Sequence, residues 1–408
     1  SNRNPLSLTF VSQHQHDAQL AMMKAWRTHA YGAGGDPAAA IAKLVCEDVP
    51  VPVAGPGQLQ IKLSHAAINP IDWKLFSGGL HGVAPCVHPY IPGFDIAGTI
   101  SAVGQGVTAF AVGDSIIADL GLCETCLNPA PAAGNCGAFA EYAVVPVSLA
   151  VATSGLKEAQ AVALPLAGLT ALQALFTRSG RSFTGATLGD LKAGQKLLIL
   201  GGATLVGSYA IQLAKNVGAH VCVTASTNKM PDGVTKADFC KTLGADEVID
   251  YKSTKWFEAL AGQGFDLIFD TIGDQDDWAN ASKVLKKGCD FISVANFGPD
   301  MTANTESTFK NFLLKSVDAD LAELVELVKA GKLKLPVDSV VDFKDVPAAL
   351  TKSLNSQNAG KLVIKINPRP SGSKRDGHFS SGGWMLPAFV SACVSYVVAR
   401  REMTRRFT

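Results

Sequence analysis

Charge is scarce and nearly balanced in this sequence. Of its 408 residues, 17% are charged, and the formal net charge is +1 at pH 7. Because the chain has no general basic field, its charge argues against nucleic acid as a partner. Cysteine is also sparse, with nine residues, an odd number, spread along the chain. This usage argues against a disulfide framework and favours free thiols in a reducing compartment.

Apolar residues, by contrast, make up 47% of the chain and predict a globular protein of about two domains. The most informative stretch is residues 196–207, KLLILGGATLVG. Its first five residues predict a strand buried on both faces, and apolar residues recur at helical spacing after Gly201-Gly202. Such a glycine turn lets backbone N–H groups meet a phosphate. The stretch predicts a dinucleotide-binding turn, with an ordinary strand-to-helix turn as the alternative.

A second strand is predicted over residues 220–224, at the spacing that a βαβ unit requires. At the end of this strand, a carboxylate would bind the 2′-hydroxyl of NAD. The sequence has Ser226 and Lys229 there instead, with no acidic residue before Asp232. Hydroxyl and cationic groups suit a 2′-phosphate, so the predicted cofactor is NADPH.

The pattern of the chain changes along its length and predicts two folding units. From residue 23 to about residue 145, short alternating strands are interrupted by glycine and proline. The region that follows alternates strands with helices. Residues 1–22 are polar and rich in histidine and glutamine, which predicts an N-terminal arm or a loosely packed terminus.

Several segments, in order, resemble a known family. Residues 69–74 (NPIDWK) and 92–98 (PGFDIAG) resemble two segments of the zinc-independent medium-chain dehydrogenase/reductases of the quinone oxidoreductase type. The other similar segments are residues 103–104, 110–114, 137–142, 164–171, 243–251 and 360–364. Within this family, the chain most resembles the mitochondrial reticulon-interacting NADPH oxidoreductase group.

The resemblance implies an α/β fold made of a chaperonin-10-like β domain and a Rossmann domain with a doubly wound parallel sheet. The implied β domain comprises residues 23–166 and 309–367 and holds the substrate side. The implied Rossmann NADP(H)-binding domain comprises residues 167–308. Members of the family are commonly dimeric, so a homodimer is also implied.

Site residues are also implied by the resemblance. Asn69, Asp72 and Lys74 would line the cleft between the domains, with Asn69 positioning the acceptor oxygen and Lys74 stabilising a developing oxyanion. From the residues alone, Asn69 could equally begin a turn, Asp72 could cap a helix and Lys74 could be a solvated charge. The residues implied to bind the cofactor are Thr170, Gly201, Gly202, Val206, Gly207, Ser226, Lys229 and Tyr251.

No metal site is predicted. Zinc-dependent relatives carry cysteine at the position of Asn69 and a His-Glu pair at the position of residues 94–95, and the amide and phenyl groups present here cannot replace such ligands. Hydrogen bonds must then polarise the acceptor carbonyl. Cys123 and Cys126 have a ligand spacing, with Cys136 nearby, but no fourth thiolate follows, so free thiols are predicted.

The glycine turn itself departs from the family. Relatives usually have glycine where this chain has Thr204 and Leu205. Added β-carbons could crowd the approach of a pyrophosphate that glycine permits. The expected consequence is weakened or shifted cofactor binding.

Residues 368–408 extend past the family's length and predict a linker followed by a hydrophobic tail helix. As a helix, the apolar run 384–399 would span about 24 Å, short of a bilayer core of about 30 Å. Trp384 and the arginines after residue 399 suit an interface anchor or a thin membrane. We therefore predict attachment to a membrane or a membrane protein complex, over a helix packed on its own domain. The predicted location is mitochondrial, and cytoplasmic otherwise.

Two functional hypotheses follow. The first is an NADPH-dependent oxidoreductase that transfers hydride to a quinone or an α,β-unsaturated carbonyl without zinc, near a membrane. The second is an accessory (supernumerary) subunit of a mitochondrial membrane protein complex, in which NADPH is retained structurally or lost.

Overall fold

The computed structural model describes residues 21–82, 84–121, 137–230 and 232–368. The predicted tail helix, Cys123, Cys126 and Cys136, and all but the last two residues of the predicted N-terminal arm lie outside these ranges. Of these two residues, Ala21 precedes the first strand and Met22 begins it.

The strands of the described residues are numbered in chain order. They are β1 Met22–Arg27, β2 Val45–Pro50, β3 Gln58–Ala67, β4 Asp95–Val103, β5 Ser115–Asp119, β6 Tyr142–Pro146, β7 Ala150–Ala152, β8 Lys196–Leu200, β9 His220–Thr224, β10 Glu247–Ile249, β11 Phe265–Asp270, β12 Leu285–Ser293, β13 Thr308–Asn311, β14 Val337–Asp342 and β15 Lys361–Lys365.

The α-helices are numbered in the same way. They are α1 Pro37–Ala42, α2 Pro70–Ser77, α3 Glu158–Ala161, α4 Pro165–Leu175, α5 Leu205–Asn216, α6 Lys236–Thr242, α7 Trp256–Ala259, α8 Gln275–Asn280, α9 Asp318–Lys329 and α10 Val346–Leu354. Within the described ranges, none has both the length and the apolar character needed to cross a bilayer.

One sheet is parallel throughout, with its described strands in the order β10-β9-β8-β11-β12-β13. Numbered from β8, this is the 3-2-1-4-5-6 order of a doubly wound sheet, in which the winding reverses between β8 and β11. The two strands predicted around the glycine turn are β8 and β9. Ligands of such sheets bind beyond the carboxyl ends of the strands at the reversal.

The second large sheet runs β14-β15-β3-β4-β5-β7, with β6 paired to β3. Its pairs are antiparallel except for β14 with β15. Because β14 and β15 follow the parallel sheet in the chain, the polypeptide returns to the antiparallel sheet after the Rossmann part, as expected. The proposed domain boundaries themselves stay predictions.

An apolar cluster packs the two sheets together through the helices between them. It includes Ala97 and Val363 of the antiparallel sheet, Leu172 of α4 and Tyr209 of α5. The Tyr209 hydroxyl donates a hydrogen bond of 3.1 Å to the carbonyl oxygen of Ala163, just before α4. Polar side chains at this junction are therefore shielded from water and need partners within the protein.

Candidate functional site

The glycine turn joins β8 to α5 and requires glycine for reasons internal to the protein. Gly201 has a φ of +90°, and a β-carbon there would lie 2.6 Å from side-chain atoms of Thr271 and Ile272. A β-carbon on Gly202 would lie 2.7 Å from Val223, and one on Gly207 would lie 2.2 Å from the carbonyl oxygen of Gly201. The absence of side chains at these three positions lets the start of α5 lie close to β8 and β9.

Thr204, the residue that departs from the family's glycine, is the N-cap of α5. Its Oγ1 accepts a hydrogen bond of 2.9 Å from the backbone N–H of Gly207 and donates one of 2.9 Å to the carbonyl oxygen of Gly201. Glycine could make neither bond. The substitution thus adds a cap to the helix, which gives Thr204 a role in the turn that the sequence had not indicated.

Capping leaves two donors at the start of α5. The first backbone N–H groups of a helix have no intrahelical partner. Gly207 is satisfied by Thr204, whereas the hydrogen bonds of the described residues give no partner to the N–H groups of Leu205 and Val206. Adjacent N–H donors at a helix amino end, where the helix dipole is positive, are suited to bind a pyrophosphate.

At the carboxyl end of β9, the residues predicted to bind phosphate differ in their exposure to solvent. Lys229 is exposed, Tyr251 is 56% exposed, and Ser226 is buried at 2%. Lys252 is a further exposed cation, and its Nζ donates to Asn228 Oδ1 at 3.1 Å. Nothing in the spacing of the sequence had marked Lys252, because it follows β10 and reaches this point only through the pairing of β9 with β10.

An acidic residue also reaches this end of the sheet. The Thr227 hydroxyl donates to Asp250 Oδ2 at 3.2 Å. Asp250 comes directly after β10, beyond the stretch from β9 to Asp232 in which the sequence has no acidic residue. The region therefore carries two exposed lysines and one carboxylate that is already hydrogen-bonded.

On the antiparallel side, Asn69 and Asp72 begin α2. Asn69 is the N-cap residue, and Asp72 Oδ2 accepts a hydrogen bond of 2.7 Å from the backbone N–H of Asn69. Both residues are buried. Asp72 therefore caps the helix, which was one of the two alternatives that the sequence left open.

The side chain of Asn69 belongs to a buried polar cluster, defined here as Asn69, Asp95 and Lys361. Lys361 Nζ lies 2.5 Å from Asn69 Oδ1 and 2.6 Å from Asp95 Oδ2, and Asn69 Nδ2 donates to Asp95 Oδ2 at 2.8 Å. The side chains of Lys361 and Asp95 are 1% and 0% exposed. Both residues lie within segments that resemble the family, but neither was assigned a role.

Two further carboxyl groups are buried near this cluster. Burial raises the pKa of Asp72 well above its usual range, and one of its oxygens, Oδ1, has no hydrogen-bond partner among the described residues. Burial, assisted by the charge of Asp95, raises the pKa of Asp119 to about 7. The hydroxyl of Ser316 donates to Asp119 Oδ2 at 2.5 Å. Desolvation of both carboxyl groups thus opposes the build-up of negative charge in this interior.

Thr170 and Lys74 stand in different surroundings. Thr170 is buried on α4, and its hydroxyl donates to the carbonyl oxygen of Leu166 at 2.7 Å. Lys74 is half-buried on α2, with Nζ 5.6 Å from the ring centroid of Trp73. Desolvation lowers the pKa of Lys74, and no carboxylate among the described residues forms an ion pair with it. Lys74 is thus a cation whose charge is not already neutralised.

In the part of the chain that the structure describes, no group of three His, Cys, Asp or Glu side chains is placed so that it could hold a metal ion. The absence of zinc stays a prediction, since Cys123, Cys126 and Cys136 lie outside the described ranges. A surface hollow of about 280 Å³, whose lining includes Lys192, Asp266 and Cys289, lies at the amino ends of the parallel strands. It is on the opposite edge of the sheet from the glycine turn.

Known protein families match both parts of the chain. Residues 55–155 match the family described as alcohol dehydrogenase GroES-like domain, and residues 243–364 match the family described as zinc-binding dehydrogenase. Among solved structures, the quinone oxidoreductase from Coxiella burnetii aligns with a TM-score of 0.69 at 26% identity, covering 85% of this chain and 100% of that one.

Curated relatives are similar over most of the chain. A chloroplastic quinone oxidoreductase of Triphysaria versicolor is 30% identical over 357 residues, which are 84% of this chain and 98% of that protein. A chloroplastic NADPH-dependent alkenal/one oxidoreductase of Arabidopsis thaliana is 32% identical over 347 residues, which are 84% of this chain and 79% of that protein. Both names give the chloroplast, so these relatives do not support the predicted mitochondrial location.

Proposed function

Because the chain belongs to the medium-chain dehydrogenase/reductase family, in its quinone oxidoreductase type, we propose that it reduces a quinone or an α,β-unsaturated carbonyl with NADPH. It is an oxidoreductase, and its cofactor is NADPH. The observation that carries the proposal is the start of α5, where glycine packing and the Thr204 cap leave the N–H groups of Leu205 and Val206 for a pyrophosphate. This start lies at the carboxyl edge where the winding of the sheet reverses.

The residues around the turn fit this cofactor. Lys229 and Lys252 would bind the 2′-phosphate as exposed cations, and Tyr251 would contact the adenosine end. Thr170, held in place by its bond to Leu166, would lie on the nicotinamide side. When bound, NADPH supplies the hydride.

On the acceptor side, two residues of α2 are proposed to act. The amide of Asn69 would donate a hydrogen bond to the acceptor oxygen and fix its position. The ammonium group of Lys74, which has no ion-pair partner among the described residues, would stabilise the negative charge that develops on that oxygen. Asp72 would act through the backbone of Asn69, as a cap.

Attachment to a membrane or a membrane complex, homodimer formation and a mitochondrial location stay proposals. The tail that motivates attachment lies in residues 369–408, outside the described ranges. Weakened cofactor binding through Thr204 and Leu205 would favour the alternative role as an accessory subunit. The cap formed by Thr204 weakens that ground, because the departure from glycine stabilises the turn.

A titration of NADPH and NADH, followed by nicotinamide fluorescence and then by addition of a quinone, tests the proposal. We expect tighter binding of NADPH than of NADH and loss of fluorescence once the quinone is added. The double variant Lys229→Gln/Lys252→Gln should lower NADPH affinity about tenfold or more, since it removes two charge-assisted contacts, and should leave NADH affinity unchanged.

Lys255→Gln is the matched control, because Lys255 is an exposed lysine three residues further along the chain. It should leave both affinities unchanged. Equal affinity for NADPH and NADH would contradict the role of the lysines. Binding without oxidation by any quinone or enone would favour the accessory subunit with a structural cofactor.

A further inference from the structure

We propose that Lys361 and Asp95 are positioning residues that hold the side-chain amide of Asn69 in one orientation, with a single N–H left for the acceptor. The proposal rests on the acceptor-binding role proposed above for Asn69. It gives a function to the buried ion pair of Lys361 and Asp95, which lies behind the proposed acceptor contacts.

The orientation follows from what each group can do. A lysine ammonium only donates hydrogen bonds, and an ionised carboxylate only accepts them. Lys361 Nζ contacts Asn69 at 2.5 Å, and Asp95 Oδ2 contacts it at 2.8 Å on the other side of the amide. A flip of the amide would place its oxygen against the carboxylate and its NH₂ group against the ammonium. The charges of Lys361 and Asp95 therefore fix which atom faces each of them.

One N–H bond of the Asn69 amide remains without a partner in the part of the chain that the structure describes. The amide has two N–H bonds, and one is used by Asp95 Oδ2. The oxygen of the amide is occupied by Lys361. The other N–H has no partner among the described residues, so it is the donor that Asn69 can offer to a ligand.

The cluster also makes this donor rigid and strong. The backbone N–H of Asn69 is bonded to Asp72 at 2.7 Å, so the residue is held at both its backbone and its side chain. The ammonium on the amide oxygen draws electron density from the amide, and this polarisation is greatest where water is excluded. A preorganised donor of this kind stabilises a developing oxyanion without reorganisation during the reaction.

Asp95 extends the positioning to the cofactor side. Its other oxygen, Oδ1, accepts a hydrogen bond of 2.8 Å from the backbone N–H of Leu166, in the first turn of α4. The carbonyl of Leu166 in turn accepts from Thr170, the residue proposed to lie beside the nicotinamide. The carboxylate of Asp95 thus fixes both the Asn69 N–H group that is proposed to bind the substrate and the helix that carries Thr170.

A double-mutant comparison separates positioning from a purely structural role. Turnover with a quinone is measured for the wild type, Asn69→Ala, Lys361→Gln and the double variant, together with NADPH affinity and the melting temperature. If Lys361 acts through Asn69, Lys361→Gln should lower kcat between about tenfold and about a hundredfold when Asn69 is present. It should have little further effect in the Asn69→Ala background, and NADPH affinity should not change in either.

Lys365→Gln is the matched control, because Lys365 is on the same strand but exposed, and it should keep wild-type turnover. If Lys361→Gln does not fold, Lys361→Met, which has a similar length and no charge, gives the same comparison. A loss of kcat that is equal with and without Asn69 overturns the positioning role in either variant. A normal kcat for Asn69→Ala overturns the role of Asn69 itself, while NADPH oxidation by the wild type would still support the proposed function.

Discussion

The glycine turn and the buried polar cluster are built in opposite ways. In the turn, Gly201, Gly202 and Gly207 lie within seven residues, and the absence of side chains lets backbone atoms touch. In the cluster, three polar side chains meet although Lys361 is 292 residues from Asn69 and 266 from Asp95. The donors of the turn are backbone N–H groups, which do not depend on charged side chains. The cluster, in contrast, can orient the amide of Asn69 only while Lys361 and Asp95 are charged. Substitutions should therefore harm the turn through sterics and the cluster through electrostatics.

The largest effect is expected from Gly207→Ala, which breaks the turn. Its β-carbon would lie 2.2 Å from the carbonyl oxygen of Gly201, and backbone atoms cannot move aside as a flexible side chain can. We expect a loss of about 3 kcal/mol in the free energy of unfolding, measured by urea denaturation, with a parallel loss of NADPH affinity.

Gly298→Ala serves as the control for this substitution. A β-carbon at Gly298 would meet no atom within 4 Å, and the residue is exposed. It should unfold like the wild type. A stable Gly207→Ala variant with normal NADPH affinity would show that the turn is not limited by backbone packing.

A second, smaller effect is expected at Asp119, where a buried charge near the cluster should make stability depend on pH. Burial raises its pKa from 3.8 to about 7 in the folded protein. Between these values the folded state holds a proton that the unfolded chain has released, so this group makes stability fall as the pH rises from about 4 to about 7. Asp119→Asn cannot ionise, so it should lose this dependence and should gain stability relative to the wild type at about pH 8.

Urea denaturation at a series of pH values measures this difference. Asp342→Asn is the control, because Asp342 is exposed at the end of β14, and its unfolding should follow the pH dependence of the wild type. Parallel curves for the wild type and Asp119→Asn would mean that the pKa of Asp119 does not change on folding.

The two regions also differ in how far the sequence could predict them. The turn could be predicted because a buried strand, a glycine pair and a helix follow one another without interruption. Asp95 and Lys361 could be seen within segments that resemble a family, but their contact depends on β3 pairing with both β4 and β15. Lys252 and Asp250 were missed for the same reason, since only the pairing of β9 with β10 brings them to Asn228 and Thr227. Local geometry could be predicted from the sequence, whereas contacts between residues that the sheets bring together could not.

Thr204 lies between these cases and gives the smallest expected effect. The sequence predicted that its β-carbon hinders the cofactor, whereas the structure shows its hydroxyl bonded to Gly201 and Gly207. Thr204→Ala should lower the free energy of unfolding by about 1 kcal/mol because the cap is lost, and Thr204→Ser should retain most of it. Thr204→Gly, the residue usual in the family, separates the two ideas when NADPH affinity is titrated. If the threonine crowds the pyrophosphate, glycine should raise the affinity. If it acts as a cap, as the hydrogen bonds indicate, glycine should leave the affinity unchanged or lower it.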